Sequence, residues 1–122
     1  MHELAICEAV LQQVLDLDPP PNATAIGRIT LRIGPLAGVE PDLLRLAFPL
    51  VAAGTSCADA VLEIQPIAVE IWCRFCGETS RARPNRLLCA ACGTWRVSLV
   101  SGDELLLAHV EFLRPLPGHA VV

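Results

Sequence analysis

Cys73-Arg74-Phe75-Cys76-Gly77 and Cys89-Ala90-Ala91-Cys92-Gly93 form two C-x-x-C-G pairs separated by twelve residues. Four cysteines at this spacing point to a tetrahedral zinc site with thiolate ligands and no open coordination position, which is the arrangement of a structural metal. Each pair bends into a knuckle, and the glycine after it permits the positive φ that returns the chain toward the sulfurs. Two disulfides or an iron–sulfur centre are the competing readings, and the spacing fits a zinc ribbon better than a ferredoxin run.

Working outward, the segment 73–96 carries Arg74, Arg81, Arg83, Arg86 and Arg96 against one acid, Glu78, a net +4. The rest of the 122-residue chain holds four arginines and twelve acids, a net −8. A basic finger on an acidic body raises nucleic-acid binding or regulation as an alternative function. The simpler account is that guanidiniums offset the −2 charge of a zinc tetrathiolate. Aromatic residues amount to 4% of the chain, too few for a stacking platform, so nucleic acid is not an expected partner. Six cysteines without a secretory signal suit metal chemistry in a reducing cytoplasm. No apolar run approaches the roughly 20 residues of a membrane span.

Before the cysteines, residues 3–17 have helical periodicity through Leu4, Cys7, Leu11, Val14 and Leu15, ended by Pro19-Pro20-Pro21. Residues 26–33 alternate as a strand, with Ile29, Leu31 and Ile33 on the buried side. A second helix starts at Glu40-Pro41-Asp42 and runs to Gly54, with a kink or a break into two short helices expected at Pro49. Residues 61–72 read as a strand confined by Pro66 to an edge or bulge, and residues 104–113 as a third strand with Leu106, Ala108, Val110 and Phe112 on one side. The expected fold is α+β: a small three-stranded sheet covered by two helices, with a four-cysteine zinc-ribbon-like lobe inserted between the second and third strands. Its organisation is 1–72 plus 97–113 as one domain, 73–96 as an inserted zinc domain that depends on metal to fold, and 114–122 as a mobile tail.

Catalytic constellations are missing: there is no P-loop, H-E-x-x-H or G-x-S-x-G motif, and no enzyme activity is expected. Cys7 reads as a core residue, Cys57 as a loop cysteine, His109 as a strand residue and His119 as solvated. The N-terminus offers more. The Met1 amine, the His2 amide nitrogen and the His2 imidazole can chelate one metal through adjacent rings, a donor set that suits Ni(II) or Cu(II). An exposed chain start without function is the alternative.

Three stretches in order, Met1-His2-Glu3-Leu4, Ile33-Gly34-Pro35-Leu36-Ala37-Gly38-Val39-Glu40-Pro41 and the paired C-x-x-C-G motifs, resemble the HypA/HybF hydrogenase-maturation family. Ser101-Gly102-Asp103-Glu104-Leu105 resembles the segment after that family's zinc loop, so the similarity covers about residues 1–113. The resemblance implies a nickel metallochaperone that is not an enzyme. It would deliver Ni(II) as cargo to the [NiFe]-hydrogenase large subunit with a HypB-type GTPase, and in some members would serve urease through its accessory proteins. It carries the nickel site onto Met1, His2 and Glu3, with Glu40 as a further acid nearby, and structural zinc onto Cys73, Cys76, Cys89 and Cys92. Pro49, the triple proline and the tail depart from the pattern and bear on helix geometry and on the tail.

Overall fold

The computed structural model describes residues 2–114. Helix α1, His2–Leu15, buries Cys7, Val10, Leu11 and Val14, the i, i+3, i+4, i+7 stripe of one helix face. Val10 joins that stripe, whereas Leu15 lies on the exposed side of the helix end. Helix α2, Pro41–Ala52, begins with proline at the first helical position, where its missing N–H costs nothing, and its extended neighbour Glu40 accepts from the Leu43 and Leu44 amides. Leu44, Ala47, Phe48 and Ala52 form its buried face. The Cys7 thiol donates to the Leu44 carbonyl at 3.6 Å, joining the two helices.

The break expected at Pro49 does not divide this helix: α2 is a single element. Pro49 sits close to its C-terminal end, so its ring forfeits one backbone bond, and both it and Arg45, four residues back, face solvent.

Strand β1, Ala25–Ile33, is the centre of a three-stranded sheet ordered β2-β1-β6, with β2 at Val61–Pro66 and β6 at Leu105–Leu113. Ile26, Ile29, Leu31 and Ile33 are buried in it. Thr30, on the side read as polar, is buried as well, and its hydroxyl donates to Glu63 at 3.2 Å. Glu63 also receives Arg28 at 3.3 Å. The single alternating face expected for β6 is only partly present. Leu105 and Leu107 are half-buried, then the phase slips at the exposed Ala108-His109, after which Val110 and Phe112 turn inward; Leu106 is exposed.

Residues 61–72 are not one strand. Pro66, which has no N–H to donate, ends β2, and the chain resumes as β3, Glu70–Cys73, in a different sheet. That second sheet, ordered β4-β3-β5, pairs β3 antiparallel with β4 (Thr79–Arg81) and β5 (Val97–Ser101). It was not foreseen from the sequence. It gives the cysteine lobe a frame of its own, anchored by the buried Ile67, Val69 and Ile71.

The chain gathers into two compact units. One takes the chain up to Leu31, Glu40–Ile64 and the chain from Leu107; the other takes Arg32–Val39 and Gln65–Leu106. In the second unit, Gly34 lies so close to Gly102 that an added Cβ would stand 2.0 Å from the Gly102 carbonyl oxygen. The Gly34 amide bonds to Glu104 and the Leu36 amide to Gly102, so this crossing of two backbones is hydrogen-bonded on both sides. Gly34, just past the end of β1, is therefore a close-approach position.

Candidate metal centre

The ladder of the second sheet delivers the first ligand. Cys73 closes β3, its Cα paired with Val97, and its amide bonds to the Glu78 carbonyl at 3.0 Å. Between them the chain turns tightly: the Gly77 amide returns to the Cys73 carbonyl at 2.7 Å with Gly77 at φ 70°, and the Cys76 amide lies 3.4 Å from the Cys73 sulfur. The second pair repeats this pattern. Gly93, at φ 76°, bonds to the Cys89 carbonyl at 2.9 Å, and the Cys89 amide bonds to Thr94 at 2.9 Å. Two copies of one local motif thus present four sulfurs to each other.

All four sulfurs lie within 4.8 Å of one another. Cys73 and Cys92 are 3.7 Å apart, and Cys76 and Cys89 3.9 Å apart. A tetrahedron with Zn–S bonds of about 2.3 Å has edges of about 3.8 Å, so the cage fits one tetrahedral ion. It does not fit disulfides, whose sulfurs stand about 2.05 Å apart, and all six cysteines of the chain are free.

Two of the four thiols are shifted, in opposite directions. Hydrogen bonds from the Cys92 and Ala91 amides bring Cys89 down to about 7. Cys76 is pushed up to about 12, first by its hydrogen bond with Cys92. Metal binding requires thiolates, so an ion entering this cage displaces the protons that its cysteines carry. Among the described residues, the donors that reach these sulfurs are backbone amides, not guanidiniums. The arginines of the lobe therefore do not act by direct contact with the thiolates. Knuckles that turn amides toward the sulfurs are what the glycine after each cysteine pair leads one to expect.

The other candidate site lies at the start of α1. Met1 is outside the described residues. His2 is the first residue of the helix and is exposed, while Glu3 is half-buried in the first turn. Glu40 is exposed before α2, and its side chain makes no capping bond. His2, Glu3 and Glu40 do not close into a second cluster like that of the cysteines, which is the one grouping of three or more such side chains among the described residues. A chelate through amine, amide and imidazole draws its ligands from one end of the chain and needs no such cluster.

Of the remaining candidates, Cys7 and Cys57 are buried core residues whose thiols burial pushes up, which makes them inert. His109 is exposed on β6, and His119 lies outside the described residues, as does the tail from Pro115.

The fold and the cage define a class: a small α+β metalloprotein in which a helix-bearing unit is joined to a lobe holding a four-cysteine metal site. Residues 1–112 match the family model described as "Hydrogenase/urease nickel incorporation, metallochaperone, hypA". The chain is 39% identical over 113 residues to a protein of Nitrosospira multiformis named "Hydrogenase maturation factor HypA", covering 93% of this chain and 98% of that one. A protein of the same name from Rhizobium leguminosarum bv. viciae is 35% identical, covering 93% and 100%. Among solved structures, the solution structure of the Ni metallochaperone HypA from Helicobacter pylori shares the fold, with a TM-score of 0.66 at 23% identity over 93% of this chain and 98% of that one. The chain belongs to the HypA family of metallochaperones for hydrogenase and urease nickel incorporation. This is a family of maturation factors and not of enzymes.

Proposed function

We propose that this chain binds Ni(II) at its N-terminus and delivers it to the large subunit of a [NiFe]-hydrogenase. A HypB-type GTPase would be its partner, and urease maturation a further outlet. The observation that carries this reading is the position of His2, exposed as the first residue of α1. The first amides of a helix have no intrahelical acceptor, so the His2 N–H is free to be given up to a metal. The helix dipole favours the negative amidate that results. The Met1 amine and the His2 imidazole complete three nitrogen donors, with Glu3 and Glu40 as carboxylates on the same unit. Such a site is open to solvent, which suits cargo that must leave again.

In this reading Cys73, Cys76, Cys89 and Cys92 hold zinc. A closed shell of four thiolates supplies folding energy to the lobe and has no free position for chemistry. No helix among the described residues is long and apolar enough to cross a membrane. Six unbridged cysteines suit the reducing cytoplasm, where we place the protein.

The test is complementation of a strain lacking the chain. The parent restores hydrogenase activity at low nickel, His2→Ala does not, and excess nickel in the medium rescues the variant. Full restoration by His2→Ala at low nickel would remove the basis of the proposal.

A further inference from the structure

We propose that the Arg83–Arg86 turn of the cysteine lobe is a docking site for a carboxylate-rich segment of a partner protein. Arg83 and Arg86 pair across a two-residue turn, Pro84-Asn85, closed by the Arg86 amide on the Arg83 carbonyl at 3.0 Å. Like charges placed opposite each other on antiparallel backbone repel, and no ion pair with a carboxylate relieves these two. Both are exposed, and the ion pairs among the described residues lie elsewhere, at Arg28–Glu63 and Arg45–Asp42. Nor do the two arginines bond to the thiolates, whose donors are amides.

The turn is also built to hold its shape. Proline at its second position has the φ that a tight turn needs, so the backbone sets the two arginines opposite each other before any ligand arrives. Arg81 and the cage cysteine Cys89 line the same shallow hollow, with Leu88 as an apolar surface beside the charges. Arg81 itself stands opposite Glu70 in the β3–β4 ladder, whereas the two arginines of the turn stand opposite each other. Every basic residue of the chain is arginine. The guanidinium fork binds a planar carboxylate through two parallel N–H bonds, a geometry that lysine lacks.

Nucleic acid is the rival occupant, and two observations disfavour it. The lobe's side-chain charge of +4 falls to about +2 once a zinc tetrathiolate is in place, little to hold the many phosphates of a nucleic acid but enough for a short acidic segment. The most exposed aromatic ring of the lobe, Trp95 at 71%, has one face taken by its own Arg96, 5.3 Å from the ring centroid, which reduces the surface on which bases could stack.

Fluorescence anisotropy on the zinc-loaded full chain tests this, with three labelled probes: a peptide alternating glutamate and leucine, its glutamine counterpart, and a single-stranded oligodeoxynucleotide. The glutamate peptide is expected to bind, more weakly as salt rises, and the glutamine peptide not to bind. Arg83→Gln with Arg86→Gln should weaken binding about tenfold or more at unchanged zinc content and circular dichroism. Lysine at both positions should restore only part of the affinity, and Arg45→Gln should leave it unchanged. The proposal is overturned if the glutamine double variant binds the glutamate peptide as the parent does. It is equally overturned if the oligonucleotide binds more tightly through these arginines, or if sedimentation shows that they serve self-association.

Discussion

Glu104 shows how much a single side chain can hold in a small lobe. Its carboxylate accepts the Gly102 amide at 2.7 Å, next to the point where Gly34 crosses that backbone. The Gly102 amide first, then its own amide, the Asp103 amide and the charge of Arg32 hold this carboxyl below its usual range. A carboxyl titrating lower in the folded state than the ordinary value of about 4.3 contributes fully above that value. The contribution is lost as pH falls through the lower folded value. Glu104→Gln should therefore be less stable than the parent in urea at neutral pH, and the gap should close below about pH 4 as the parent protonates. A gap that persists into acid would show that Glu104 acts through packing. Gly34→Ala should cost about 2–3 kcal/mol or more, because the methyl group meets backbone that cannot step aside. Denaturant unfolding checks this, and a change below about 0.5 kcal/mol would show that the crossing can open.

Helix α2 and the two cysteine knuckles show which elements the sequence made legible. The knuckles were readable because four residues of one rare type, each pair followed by glycine, have few uses other than metal. Both amphipathic helices were readable from their period, and β1 from its alternation. Residues 61–72 were misread because an apolar run does not reveal where it changes sheet. Only Pro66, read as an edge signal, marked the place. Strands β4 and β5 were missed because Thr79–Arg81 and Val97–Ser101 are short and largely exposed, so burial imposes no period on them. The continuity of α2 through Pro49 sets a prediction at this scale. Pro49→Ala restores a backbone donor within a formed helix and should raise stability by about 1 kcal/mol or more, read as a rise in Tm. An unchanged or lower Tm would mean that the proline ring contributes packing that the missing hydrogen bond conceals. Cys76→Ser leaves three thiolates in the cage, and metal analysis should show the zinc lost or greatly weakened.

Across the molecule, the two sites divide into opposite kinds. The four-cysteine cage is closed, held by backbone amides and framed by its own sheet. The proposed N-terminal site is open, with His2 exposed as the first residue of α1. A resident ion and a transient cargo are expected to behave accordingly under acid and chelators. Nickel bound through amine and amide nitrogens must displace protons, so its affinity should fall as pH falls. The sequence made the four-cysteine cage legible by spacing, whereas the N-terminal chelate that we propose rests on the donors of Met1 and His2 and on the resemblance of three motifs in order. A Met-His start has no periodicity or partner spacing to mark it.

The measurement that bears most directly on this division is metal analysis of the purified chain before and after nickel loading, made in parallel on His2→Ala. The parent is expected to hold one tight zinc and to gain one exchangeable nickel, and His2→Ala to keep the zinc and gain no stoichiometric nickel. Nickel bound by the variant as by the parent, or nickel entering only by displacing zinc from the cysteines, would contradict the account.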